Sequence, residues 1–177
     1  VENFEAKIIG SGKLDFGGSL KGFLIDYIYS RLNNLGYSDF LVNIGGDMKA
    51  KNTDKPFWKI AVQHPREKIY VGSYKLKNES IVTSGDYERY FIYNGIRYCH
   101  ILNPFTGKPD SDLNSVTIIS KNCIDADILS TAIFAMGKNK GIEFIKKNNI
   151  KAFLIWFDNN KNIDYYNNTY IELLNQR

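Results

Sequence analysis

Apolar residues recur at three- and four-residue intervals through Leu20, Phe23, Leu24, Tyr27, Ile28 and Leu32, which predicts a helix over residues 19–35 with Gly36 as its stop. Elsewhere the apolar positions gather into short runs at 4–9, 39–44, 58–63, 71–76, 80–84, 90–93, 96–102 and 114–120, and these predict strands. Gly10-Ser11-Gly12, Gly45-Gly46-Asp47 and Asn103-Pro104-Phe105-Thr106-Gly107 read as turns. Asn94-Gly95 between two strand runs is the strongest hairpin signal in the chain. A second helix is predicted from about residue 125 to 136, interrupted by Gly137, and a third over 138–148. A strand at 151–157, a turn at Asp158-Asn159-Asn160, a partner strand at 163–166 and a short tail at 170–174 complete the pattern. Strands outnumber helices and hairpins dominate, so the expected class is α+β: a largely antiparallel sheet with helices packed on one side. No repeat, linker or compositional shift divides residues 1–177, and one domain is expected.

Composition narrows the function more than the fold. Twelve Tyr and eleven Phe among 177 residues suit a sheet-rich core. The net charge of +4 is spread over segments of mixed sign, without a Lys/Arg run, so nucleic acid is not expected as a partner. Cys99 and Cys123 stand alone, with no paired spacing for a thiolate metal site or a disulfide framework; a single bridge between them stays open. Two histidines are too few for a His-rich centre, so any metal should be a hard cation with oxygen ligands. No apolar run is long enough to span a membrane and no signal peptide is visible. Val1 is not an initiator Met and a strand pattern follows almost at once, so the chain is expected to be part of, or processed from, a longer protein.

Candidate chemistry concentrates in a few segments. Asp15-Phe16-Gly17-Gly18-Ser19-Leu20-Lys21-Gly22 places a carboxylate, adjacent glycines and a lysine at a helix start. Unpaired N–H groups and the helix dipole favour anions there, and glycines let the backbone approach a ligand, so a phosphate site is one reading. An ordinary turn with Ser19 as N-cap and Lys21 as a solvated side chain is the other. Asp127 and Thr131, four apart, share a helix face and could form half of a Mg²⁺ shell, although acidic residues are common at helix N-termini in any case. Thr83-Ser84-Gly85 follows a strand and offers hydroxyls and backbone N–H groups to a phosphate, or is a plain polar turn. Gly45-Gly46-Asp47 permits close backbone approach at a strand end. Strand alternation sets Tyr98, His100 and Leu102 on one face, with His100 either structural or catalytic; His64, before Pro65, reads as a surface turn residue. The glycine-rich nucleotide fingerprint, the P-loop, the nucleophile elbow and the zinc-protease motif are all missing, which argues against those enzyme classes.

Taken in order, four segments resemble the ApbE family of FAD:protein FMN transferases. They are Asp15 to Gly22 as quoted; Leu41-Val42-Asn43-Ile44-Gly45-Gly46-Asp47; Thr83-Ser84-Gly85-Asp86-Tyr87 with His100-Ile101-Leu102-Asn103-Pro104 and Thr106-Gly107-Lys108-Pro109; and Asp125-Ala126-Asp127 with Thr131 and Met136-Gly137. Ser19-Leu20 stands where the family more usually has Ile-Ala. The resemblance implies a T-fold-like domain and Mg²⁺-dependent transfer of FMN from FAD to a threonine hydroxyl of an acceptor flavoprotein, releasing AMP. It implies a metal held by the Gly18 carbonyl, the Asp127 carboxylate and the Thr131 hydroxyl, with Ser130 adjacent. FAD would be contacted by Asp15, Lys21, His100 and Ile101, with Gly46, Thr83, Ser84 and Gly85 as further binding positions. Either His100 or Asp127 would take the proton of the attacking threonine. Water in place of the acceptor would make the protein an FAD pyrophosphatase, and a chain that binds no flavin would be a non-catalytic half-domain. By the same resemblance the family's N-terminal part is expected to be missing here, a homodimer is compatible, and the setting would be bacterial, periplasmic or membrane-anchored as a lipoprotein.

Overall fold

The computed structural model describes residues 9–109 and 111–174. The strand expected at 4–9 therefore falls outside the described residues except for Ile9. In chain order the elements are α1 (Leu20–Asn34), β1 (Phe40–Ile44), β2 (Asp47–Lys51), β3 (Trp58–Gln63), β4 (Tyr70–Leu76), β5 (Ser80–Gly85), β6 (Tyr90–Tyr93), β7 (Ile96–Cys99), β8 (Ser115–Ser120), α2 (Cys123–Met136), α3 (Lys138–Asn148), β9 (Lys151–Phe157), β10 (Ile163–Asn167) and β11 (Glu172–Leu173).

The main sheet has six strands in the order β1-β2-β5-β8-β9-β10, every neighbouring pair antiparallel. Alternation along its central strands feeds two cores. Val82, Val116, Ile118, Ala152 and Leu154 point at the helices, where Ile25, Ala126, Ile133, Phe134 and Ile145 meet them. Ile81, Ile119, Phe153 and Ile155 point the other way, onto a second sheet of order β11-β4-β3 that contributes Ile60, Val62, Val71, Leu76 and the residue before β11, Ile171. The class is α+β, with the helices on one side as expected. The three-stranded layer on the opposite face is an addition to that expectation.

Several boundaries differ for identifiable reasons. The sequence pattern places Asp47 in a turn and assigns no element to residues 48–51, yet β2 pairs with β1 through Gly45 and Gly46 (φ 60° and 97°), a two-residue reversal that needs left-handed backbone at both positions. The strand expected at 96–102 stops at Cys99, although the buried–exposed alternation continues through buried Ile101 and exposed His100 and Leu102. The tail is a strand, β11, paired with β4. Helix α2 begins two residues earlier than expected. The apolar stripe of α1 is split: Ile25 is fully buried, with Ile28 and Leu32 packed beside it, whereas Leu20, Phe23 and Tyr27 remain 59%, 55% and 56% exposed. Cys99 and Cys123 are both buried free thiols, so no bridge joins them. Among the described residues no helix is long and apolar enough to cross a membrane.

Candidate active site

Two helix starts meet at the site and cap one another. Ser19 occupies the N-cap of α1, but its hydroxyl makes no cap bond; it lies 3.4 Å from the Phe16 carbonyl instead. The orphan N–H of Gly22, in the first turn, is satisfied from α2: it donates to Asp127 Oδ2 at 2.8 Å. The start of α2 is likewise uncapped by its own Asn122. Asp26 of α1 supplies the acceptor, taking the N–H of Cys123 at 3.1 Å on Oδ1 and that of Ile124 at 2.9 Å on Oδ2, while Lys49 Nζ of β2 neutralises it at 2.6 Å. Gly22 makes this approach possible, since a Cβ there would stand 2.5 Å from the Cys123 carbonyl oxygen and 2.8 Å from Asp127 Cβ.

Around Asp127 the oxygen groups are dense. Asp127 is 3% exposed, receives the single N–H from Gly22, and forms no ion pair among the described residues. One turn on, Thr131 packs against Gly18, where a Cβ would lie 3.2 Å from Thr131 Oγ1. Ser84 Oγ at the end of β5 is 2.8 Å from Ser130 Oγ and 3.2 Å from Thr131 Oγ1, and Ser130 Oγ donates to the Asp127 carbonyl at 3.0 Å. A buried carboxylate beside hydroxyls and a glycine backbone is a hard-oxygen donor set, so these residues fit a Mg²⁺-type cation. No cluster of three or more His, Cys, Asp or Glu occurs among the described residues, so protein donors to such a cation would have to include hydroxyl or carbonyl oxygens.

Lys21 lies next to this group. Its ammonium contacts Asp47 Oδ2 at 2.6 Å. Asp47 opens β2, is 1% exposed and also receives a long N–H contact from Thr83 at 3.4 Å on Oδ1. Burial, helped by the nearby Asp127 charge, pushes the Asp47 carboxyl up to about 6 against the opposing pull of Lys21. Burial works against the charged form of Lys21, but Asp47, Glu88 and Asp127 outweigh it and raise its pKa above the usual lysine value. A cleft of about 430 Å³ opens on the other face of the main sheet, between β1, β2, β5 and β3, lined by Asn43, Gly46, Met48, Thr83, Tyr87 and Glu88 among others but by neither Lys21 nor Asp47. Gly85 packs under Tyr87, where a Cβ would come 2.5 Å from the ring, and burial pushes the Tyr87 phenol up to about 12.

Thus Gly18, Lys21, Ser84, Asp127, Ser130 and Thr131 gather at one end of the α1–α2 pair; Thr83 reaches it only through its N–H to Asp47, its hydroxyl lying 2.8 Å from that of Thr117 on the other face of the sheet. Asp15 is exposed and accepts the Gly17 N–H at 2.6 Å, and the Ile101 side chain is in the helix-side core, leaving only its backbone free to face a ligand. His100 is exposed rather than half-buried; its Nδ1 lies 3.1 Å from the Arg89 carbonyl. His64 is not the surface residue its turn suggested: it is 5% exposed, and its Nδ1 accepts the N–H groups of Arg66 and Glu67 at 3.1 and 2.9 Å. Sequence reasoning passed over Asp26 and Lys49 and treated Asp47 only as a turn residue. The spacing of Gly22 and Asp26, four apart on one helix face, was the available signal.

Residues 5–154 match the model of the ApbE family. An FAD:protein FMN transferase of Haemophilus influenzae is 35% identical over 148 residues, covering 80% of this chain and 43% of the relative, and that of Vibrio cholerae is 35% identical over 152 residues, covering 80% and 44%. The crystal structure of the Pseudomonas stutzeri flavinyl transferase ApbE in its apo form superposes with a TM-score of 0.75 at 34% identity, over 88% of this chain and 49% of that one. The chain thus spans less than half the length of these relatives. Its motifs, its fold and the family match agree, and the chain belongs to the ApbE family.

Proposed function

We propose that this chain carries out, or carries the catalytic face for, Mg²⁺-dependent transfer of FMN from FAD to a threonine hydroxyl of an acceptor flavoprotein, with AMP as leaving group. The observation that supports it most directly is the convergence of segments distant in sequence. Gly18 and Lys21, Ser84, and Asp127 with Thr131 are brought together by the mutual capping of two helices.

Mg²⁺ would be held by the Gly18 carbonyl, the Asp127 carboxylate and the Thr131 hydroxyl with Ser130 adjacent, and when bound it supplies positive charge to the phosphate oxygens of FAD. Lys21 remains protonated throughout the neutral range and offsets the charge that builds on the pyrophosphate as AMP leaves. Ser84, whose hydroxyl lies beside those of Ser130 and Thr131, would help to orient the substrate at the metal side, and Thr83 and Gly85 would contribute through their backbone. The acceptor proton would go to His100, an exposed side chain that contacts the Arg89 carbonyl. A carbonyl can only accept, so the contact with Arg89 engages Nδ1 as a donor and assigns Nε2 as the nitrogen that would take the proton. Asp127 is less suited to that task, because its carboxylate already takes the Gly22 N–H and faces the proposed metal shell.

The test is incubation of the purified chain with FAD, Mg²⁺ and a threonine-containing acceptor. Expected are covalent flavin on the acceptor, read by in-gel fluorescence and mass, with equimolar AMP, and loss of both in Asp127→Ala. Equal AMP release without acceptor would replace transfer by hydrolysis. Absence of both products, in this chain and in a version extended to the length of its relatives, overturns the proposal.

A further inference from the structure

The Lys21–Asp47 contact has a feature that pyrophosphate binding alone does not require. A lysine that only met a phosphate could project freely from the helix start, as a flexible ammonium on a four-carbon stem. Here it is tied at 2.6 Å to a carboxylate that is itself 1% exposed, on a strand from a different part of the chain. Burying that carboxylate is unfavourable unless something specific is gained. Its position is set tightly: Gly45 and Gly46 turn the chain so that Asp47 pairs with Ile44 at the hairpin mouth, and Asn43 Oδ1 accepts the Gly46 N–H at 3.0 Å to hold the turn. Asp47 therefore sits behind Lys21, while the lysine side chain keeps 36% of its surface open.

We propose that Asp47 is a positioning residue for the transfer reaction, fixing the Lys21 ammonium at the place where it meets the pyrophosphate of FAD. It acts through Lys21 and does not touch the reacting atoms. This role rests on the reading of Lys21 as the pyrophosphate-facing cation. Ordering the lysine in advance removes the side-chain entropy that binding would otherwise have to overcome, so the effect should appear in affinity and in rate together. The hairpin glycines then have a purpose beyond the reversal, because shifting β2 by one residue would turn Asp47 to the opposite face of the sheet.

Two measurements on Asp47→Asn, which keeps the shape and removes the charge, test this. The first is the reactivity of the Lys21 amine toward an acylating reagent, read by mass spectrometry in the ligand-free protein. It should rise severalfold relative to wild type, while the exposed Lys59 is unchanged. The second is FAD affinity in a double-mutant cycle with Lys21→Met. Asp47→Asn should weaken FAD binding on the order of tenfold when Lys21 is present and have almost no effect when it is Met. Additive losses, or Lys21 reactivity unaltered by Asp47→Asn, overturn the role of Asp47 and leave the assignment of Lys21 standing. FAD affinity unaltered by Lys21→Met, or no FAD binding by the wild-type chain, overturns both. Asp47→Ser provides a second neutral variant should the amide fail to fold, with circular dichroism as the check.

Discussion

Gly22 is the residue at which one added carbon should matter most. Its missing Cβ lets α1 lie against the start of α2 and lets its own N–H reach Asp127. In Gly22→Ala the new atom would meet the backbone of Cys123 and Ile124 at the start of α2, which cannot rotate away, so the helices must separate. The expected cost is about 2–3 kcal/mol, in the range of core overpacking, despite the gain in helix propensity. Chemical denaturation measures it, and a variant as stable as wild type would mean that the helices part without loss. Asp47 predicts a pH effect of definite sign. Its carboxyl binds a proton more tightly in the folded state, at about 6, than the ordinary 3.8 of the unfolded chain. Stability from this group is therefore fully present below about pH 3.8 and lost as pH rises through about 6. Between those limits wild type should lose about 3 kcal/mol relative to Asp47→Asn. Parallel stability–pH curves for the two proteins would contradict the burial argument.

At the scale of elements, the reciprocal capping of α1 and α2 carries the site. Asp26 does the work of an N-cap for a helix to which it does not belong, and it is paired with Lys49. Asp26→Ala leaves two first-turn N–H groups and a largely buried ammonium without their acceptor. A loss of about 2–4 kcal/mol is expected, larger than for an ordinary exposed cap. Because α2 also carries Asp127 and Thr131, any FAD or Mg²⁺ binding should weaken in parallel; unchanged unfolding at equilibrium would show that Asn122 takes over the cap. The same two helices mark the limit of what sequence reveals. Their existence was legible, because apolar periodicity is a local signal and Gly36 and Gly137 punctuate it. So was the grouping of Asp127 with Thr131, four apart on one turn. β2 was not legible: Asp47-Met48-Lys49-Ala50-Lys51 reads as polar, and its two inward charges make sense only once Lys21 and Asp26 are known to face them. His64 was misread for the same reason. A histidine before a proline looks like surface until Arg66 and Glu67 fold back to donate to it. The exposed flank of α1 shows that helical periodicity identifies an apolar face without saying what covers it.

Across the whole molecule, the last strands close a sheet that the catalytic motifs do not reach. The family match ends at residue 154, within β9, yet β9 is among the most deeply buried strands: Ala152, Phe153, Leu154 and Ile155 are 0–1% exposed. β10 shields its outer edge, pairing from Ile163 opposite Phe157 to Asn167 opposite Phe153, and Tyr165 packs on the Phe153 ring at 5.9 Å between centroids. The chain then crosses to the small sheet, where Ile171 enters the second core and β11 pairs with β4. This C-terminal segment thus joins the two sheets across the layer opposite the helices. A chain ended after Asp158 would expose the backbone of β9 along an apolar edge and uncover the second core from one side. The expected results are a loss of several kcal/mol, about what two or three buried aliphatic side chains and a strand ladder contribute, and concentration-dependent association through the opened edge. Denaturant unfolding and light scattering measure the two effects separately. Of the helix-side core such a truncation removes only the flanking Tyr166, so the Gly22–Asp127 contact should survive wherever the shortened chain remains folded. A shortened chain that unfolded at the same denaturant concentration and stayed monomeric would mean that the main sheet is sufficient with its five strands up to β9, and that β10 and β11 add length without adding stability.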